Sequence, residues 1–236
     1  MHLSILHTTW PPAASVRATS ITLPWDAVAA HVSHRDVSGD TFRSALRNAG
    51  CSLECIELPP LTCLDAETFE RETDDAYMRL QIAERVGAPL AIIASAHEGE
   101  AGFEMTVDAL TRLTALAERM DVRLVVRNAC GSALEQPAAL HELLRRIHSP
   151  DLAICVDALE FAQALVNPAD AALSFSQYTA AVCLPARPVP NLRVTATAIR
   201  TTLTTLAEED FTGPVIVEAR EAAEFQAQFQ DLLKPD

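Results

Sequence analysis

PLAIIASAH, residues 89 to 97, is an apolar run closed by a serine and a histidine. A strand with one face in water alternates apolar and polar side chains. This run has no polar side chain before Ser95, as expected of a strand covered on both faces in a parallel sheet flanked by helices. The crossovers that such a sheet needs stand on either side. Upstream, DAETFERETDDAYMRLQIAERVGA (65 to 88) has a helical period and ends at Gly87, and downstream a second helical segment lies near 104 to 120.

The alternation continues in both directions. Toward the C-terminus come the strand RLVVRNA (123 to 129), the helix QPAALHELLRRIH, the strand LAICVDAL (152 to 159), the strand AAVCLPA (180 to 186) with the helix NLRVTATAIRTTLTTLAEE, and GPVIVEA (213 to 219) with EAAEFQAQFQDLL. Toward the N-terminus, HLSILHT (2 to 8) precedes WDAVAAHVS, where Pro24 suits a helix start. RDVSG (35 to 39) reads as a thin second strand before DTFRSALRNAG, capped by Asp40 and stopped by Gly50, and CSLECIELPPL (51 to 61) is the third. Eight β-α units in a 236-residue chain predict a single-domain α/β fold over residues 1–236, a (β/α)8 TIM barrel with a parallel eight-stranded core. The runner-up is an open doubly wound sheet. It is disfavoured because no GxGxxG or Walker-type loop follows any strand and only seven glycines occur.

Composition narrows the function classes. The formal net charge of −14 and the scattering of Lys and Arg leave no basic stripe for nucleic acid. No window approaches the roughly 20 apolar residues of a membrane span, and the start lacks the basic and apolar pattern of a signal peptide, so a cytoplasmic protein is expected. The six cysteines (51, 55, 63, 130, 155 and 183) lack CxxC spacing and read as reduced thiols, mostly in the core.

Chemistry in a barrel sits at the C-terminal strand ends. Those ends offer His97 on the fourth unit, Arg127 and Asn128 on the fifth, Asp157 and Glu160 on the sixth, Cys183 on the seventh, and Glu218 with Arg220 on the eighth. A polar group at a strand end costs nothing if it faces water, so His97 alone means little. Asp157 and Glu218 close strongly apolar strands, where a carboxylate demands a cation or donors. His2, His7, His31 and His34 have structural readings, and the acid-rich 67 to 75 segment suits a helix start. PARPVPN (185 to 191) reads as a stiff loop over the mouth.

Four stretches, RLQIAERVGAPLAIIASAHEG, ALTRLTALAERMDVRLVVRN, PDLAICVDALEF and DFTGPVIVEAR, make residues 79 to 225 resemble the xylose isomerase-like TIM barrels, which include sugar-phosphate isomerases, epimerases and apurinic endonucleases. The resemblance implies a divalent cation at the mouth, held by Glu, Asp, His and Glu from the last four strands. Asp157 and Glu218 match two of these positions, and His97 in HEG resembles the histidine of an HPG motif. The other positions depart from the pattern: Arg127 stands for the fifth-strand Glu, Glu160 for the His after the sixth-strand Asp, and Cys183 for the seventh-strand His.

A guanidinium has a permanent charge and five donors, so Arg127 is expected to pair with Asp157 or Glu218 in place of a metal. A dication a few ångströms away would be repelled by roughly several kcal/mol. The expected cofactor is therefore none. The alternative is a relocated manganese or zinc on Asp157, Glu160, Cys183 and Glu218.

The resemblance implies a sugar or sugar-phosphate isomerase or epimerase acting by proton transfer beside a carbonyl, with Glu218, Asp157 and Arg127 catalytic and His97, Asn128 and Arg220 binding substrate. Two other readings stand beside it: a non-catalytic barrel for an anionic or polyol ligand, and an interaction protein with a salt-bridged mouth. The expected partner is a small molecule at the mouth, with no nucleic acid and no membrane, and the residues leave an oligomer open.

Overall fold

The computed structural model of the protein describes residues 1–6, 20–30, 32, 39–62, 65–185, 187, 189–192, 194–218 and 222–233. Eight strands close into one barrel in chain order: β1 (His2–Leu6), β2 (Ser20–Pro24), β3 (Ser52–Glu57), β4 (Leu90–Ala94), β5 (Arg123–Arg127), β6 (Leu152–Asp157), β7 (Thr179–Cys183) and β8 (Pro214–Glu218). All neighbours pair in parallel, and β8 returns to β1 with Leu6 opposite Glu218. Closure removes the exposed strand edges that an open sheet would have to protect.

Helices cover the outside: α1 (Trp25–Ala29), α2 (Asp40–Ala49), α3 (Ala66–Val86), α4 (Gly99–Ala117), α5 (Pro137–Ile147), α6 (Ala158–Gln163), α7 (Pro168–Ser174), α8 (Ala196–Glu208) and α9 (Ala222–Phe229). Buried Leu80, Leu110, Leu140 and Leu203 seat four of them against the apolar outer faces of the strands. Burying each leucine side chain contributes on the order of 2 kcal/mol.

The second unit departs from the expected boundaries. The strand is Ser20–Pro24, ahead of the short helix that Pro24 starts, and not RDVSG. Its Ile21 and Leu23 are fully buried. Residues 35 to 38 lie outside the described residues, and Gly39, in the left-handed region at φ 67°, precedes α2 as its cap. Asp40 is therefore the first helical residue and not the cap, and its carboxylate accepts from Arg43. The four alternating residues of SITL are too few for the periodicity to outweigh the helical signal beside them.

Inside the barrel, small and sulfur-bearing side chains fill a narrow core. Cys55, Ile92, Val125, Ala153, Cys155, Ala181 and Ile216 pack together, with Cys183 against them. Ser4 and Thr22, fully buried on β1 and β2, satisfy one another through a 2.9 Å hydroxyl contact. This packing closes the barrel below its C-terminal mouth.

Candidate active site at the barrel mouth

A cavity of about 360 Å³ opens at the C-terminal ends of the strands. Leu6, Glu57, Arg127, Asp157, Cys183, Ile216 and Glu218 line it from the barrel, and Leu184, Pro185, Arg187 and Val189 line it from the segment after β7. Four of the residues the sequence singled out, Arg127, Asp157, Cys183 and Glu218, thus converge on one space.

Arg127 ends β5, and its Nη1 donates to Glu57 Oε1 at 3.0 Å. The expected partner was Asp157 or Glu218. Glu57 takes that place because β3 and β5 flank β4, so their final side chains reach over the small Ala94, which pairs with Arg127. The side chains are 16% exposed for Glu57 and 30% for Arg127, shielded enough that the charges depend on each other. Glu57 closes an apolar strand just as Asp157 does, and that signal could have found it. It was missed because the strand reading ran on through Leu58 to Leu61.

Asp157 ends β6 and begins α6. Its carboxylate accepts from the backbone N–H of Leu159 at 3.0 Å and of Glu160 at 3.2 Å, capping the helix. Burial pushes its pKa up to about 6, and the Glu160 charge adds to this, while the Arg127 charge and the capping amides pull the other way. Asp157 therefore changes protonation near neutral pH. Burial also works against the charge on Arg127, but the groups at Cys183, Glu57, Cys155 and Asp157 outweigh it and raise the guanidinium pKa further.

Asn128 does not face the cavity. It is fully buried; its Oδ1 accepts from the Asp157 amide at 2.8 Å and its Nδ2 donates to the Asp157 carbonyl at 3.2 Å. These two hydrogen bonds tie the end of β5 to the end of β6, so Asn128 positions the Asp157 backbone. Glu160 is also turned away, accepting from the Cys130 amide at 2.7 Å.

His97 is half-buried and does not line the cavity. Its ring stacks over α4 where Gly102 leaves room, since a Cβ there would come within 2.7 Å of His97 Nδ1. Arg220 lies outside the described residues.

The relocated metal set does not assemble. Among the described residues no three His, Cys, Asp or Glu side chains converge as metal ligands, and Glu160 is engaged elsewhere. Glu57 and Asp157 already share the mouth with a guanidinium, which occupies the electrostatic role of a cation. Among the described residues the donors present do not fit a divalent ion.

Fold and mouth together define a (β/α)8 barrel with an acid–guanidinium centre at its C-terminal end. The model of the xylose isomerase-like TIM barrel family matches residues 13–180, and the chain belongs to that family. No sequence match was found among curated proteins. Solved structures share the fold at low identity. The IOLI protein with a bound zinc atom is 12% identical with a TM-score of 0.78, over 99% of this chain and 98% of that one. D-psicose 3-epimerase with D-tagatose from Clostridium cellulolyticum H10 is 13% identical with a TM-score of 0.73, over 98% and 96%. The probable 3-DHS dehydratase AsbF from Bacillus anthracis is 11% identical with a TM-score of 0.75, over the full length of both chains. At such identities the likeness establishes the architecture alone.

Proposed function

We propose that the mouth binds an uncharged polyhydroxylated carbonyl compound and transfers a proton beside its carbonyl group, as an isomerase or epimerase does. The observation that carries this reading is the enclosure of Arg127 and Asp157 in one cavity, with Glu57 fixing the guanidinium. Asp157, capped by amides and poised near pH 6, is the acid–base group. Arg127 stabilises the enediolate oxygen that develops when the proton leaves, supplying through forked donors the positive charge needed there. Glu218, which lines the same cavity from the end of β8, is the second acid–base candidate.

Charge favours a neutral sugar over a sugar phosphate. Three carboxylates, Glu57, Asp157 and Glu218, face Arg127 and Arg187 among the described lining residues, and Arg187 also pairs with Glu224 at 2.8 Å. A phosphate dianion would enter a field already negative. The presence of a ketose epimerase among the structural neighbours supports the substrate class by fold analogy. The five described cysteines are thiols outside any disulfide, which suits a cytoplasmic setting.

The test is solvent exchange. The protein is incubated with a panel of ketohexoses and aldohexoses in deuterium oxide, and deuterium uptake at the carbon beside the carbonyl is followed by NMR. Uptake that disappears in Asp157→Asn supports the reading. Sugar binding seen by saturation transfer without exchange would make the barrel a binding module, and neither binding nor exchange would overturn the sugar assignment.

A further inference from the structure

The cavity floor holds chemistry that proton transfer does not use. Cys155 on β6 and Cys183 at the end of β7 bring their sulfurs to 3.5 Å. Cys155 is fully buried, while Cys183 lines the mouth cavity, so a reagent entering the mouth meets Cys183 with Cys155 directly behind it. We propose that these two thiols form a chelating site for a trivalent, three-coordinate thiophilic centre of the organoarsenical class.

Geometry selects that class over the other partners of a thiol pair. In the strand register Cys155 faces Ala181 and Asp157 faces Cys183, so the two cysteines are offset by two residues on neighbouring strands. With strands about 4.8 Å apart and a rise of about 3.3 Å per residue, such diagonal positions lie about 8 Å apart, beyond the roughly 4.4–6.8 Å between α-carbons that a disulfide accepts. Direct oxidation to a disulfide would have to drag the barrel wall inward, whereas an inserted atom bridges the sulfurs where they stand.

The bridging atom must be bent. At a metal–sulfur bond of about 2.3 Å, a linear centre sets its sulfurs about 4.6 Å apart and a tetrahedral one about 3.8 Å. The thiols already stand at 3.5 Å, so a bent centre bridges them with less movement of the sulfurs than a linear one. A tetrahedral dication also needs two further donors, which the described residues do not gather. An organic arsenic(III) centre needs only the two sulfurs, its third position being its own carbon substituent, and the product carries no charge to oppose Arg127.

The reaction balances without a redox partner. An arsine oxide and two thiols form two arsenic–sulfur bonds; the oxide oxygen leaves as water with both thiol protons, and arsenic stays trivalent. The organic substituent then projects into the mouth cavity beside Arg127 and occludes it.

Phenylarsine oxide is the probe. The full-length protein is treated with it, washed with excess 2-mercaptoethanol to strip single-thiol adducts, and weighed intact. One phenylarsenic per chain is expected in the wild type and in Cys51→Ala, Cys55→Ala and Cys130→Ala. Retention is expected to be about 100-fold weaker in Cys155→Ala and Cys183→Ala, because losing one sulfur removes the intramolecular second bond. An arm without variants guards against misfolding: the wild-type tryptic peptide spanning 147–193 contains Cys155 and Cys183 and no other cysteine, and should carry the arsenic. No retained adduct in the wild type, arsenic on another peptide, full retention in either Cys155→Ala or Cys183→Ala, or loss in Cys55→Ala would each overturn the proposal.

Discussion

One strand serves both ends of the barrel. Glu54, near the start of β3, lies 3.6 Å from His2 Nε2 at the N-terminal mouth, and Glu57, its last residue, binds Arg127 at the C-terminal mouth. Both pairs join β3 to another strand of the closed barrel, yet their cations differ in kind. An imidazole such as that of His2 loses its charge as pH rises, and the Arg127 guanidinium never does. The lower pair is thus a stitch that acidity tightens. The upper pair is a permanent charge centre of the sort a reacting oxygen requires.

The burial around the pairs sharpens the contrast. At the lower mouth the 3.6 Å contact with Glu54 raises the His2 pKa against the effect of burial, and the same contact lowers that of Glu54. Each partner there gains from the other. At the upper mouth Asp157 is driven upward by burial in spite of Arg127. The C-terminal mouth holds its carboxylate at a cost in stability, as functional sites commonly do.

Breaking the upper pair should have the largest effect. Glu57→Gln leaves Arg127 shielded without its carboxylate and is expected to lower unfolding stability by about 3 kcal/mol, read from urea denaturation at neutral pH. Glu54→Gln at the other mouth should cost less than about 1 kcal/mol, since the 3.6 Å contact is partly exposed. Equal losses at the two ends would dissolve the distinction between them.

The second expectation concerns pH. Asp157 holds its proton in the folded chain up to about pH 6, whereas the unfolded chain releases it near pH 4. Between those values the folded state binds more protons, so stability should fall as pH rises, by about 3 kcal/mol in all. Asp157→Asn keeps a helix cap and removes the titration. Its stability should exceed that of the wild type above pH 6 and match it near pH 4, and parallel stability curves for the two proteins would refute the assigned burial cost.

The smallest effect belongs to the lower mouth. His2 has a raised pKa, so its contribution is fully present below its unfolded value near 6.5 and is lost as pH rises through the folded value. Thermal melts of wild type and His2→Gln from pH 5 to pH 9 should converge at the alkaline end and differ by under about 1 kcal/mol at the acid end. A difference that grows with pH would mean that the imidazole acts neutral.

The halves of the chain were not equally legible. From PLAIIASAH onward every strand is a dense apolar run bounded by a long amphipathic helix; β4, β5, β6 and β8 fall within the stretches read from sequence, and β7 begins one residue ahead of its stretch. In the first forty residues β2 is five residues beside a five-residue helix, and neither carries enough periodicity to stand out. Within the site, Arg127, Asp157 and Glu218 were visible because each ends an apolar strand. The partner of Arg127 was not visible, because pairing Glu57 with a residue 70 positions away depends on which strands flank β4 and on how little room Ala94 takes. Asn128 looked like a ligand-binding amide, and only its two bonds to the Asp157 backbone reveal a strut.

The amino-acid order by itself determined the barrel class and the strand ends that carry charge, because apolar periodicity and residue chemistry are local properties. Tertiary structure alone decided that Glu57 holds Arg127, that Glu160 turns away from the mouth and that two distant thiols meet beneath it. Those outcomes depend on closure of the barrel and on strand register, which set the distances between residues far apart in the chain.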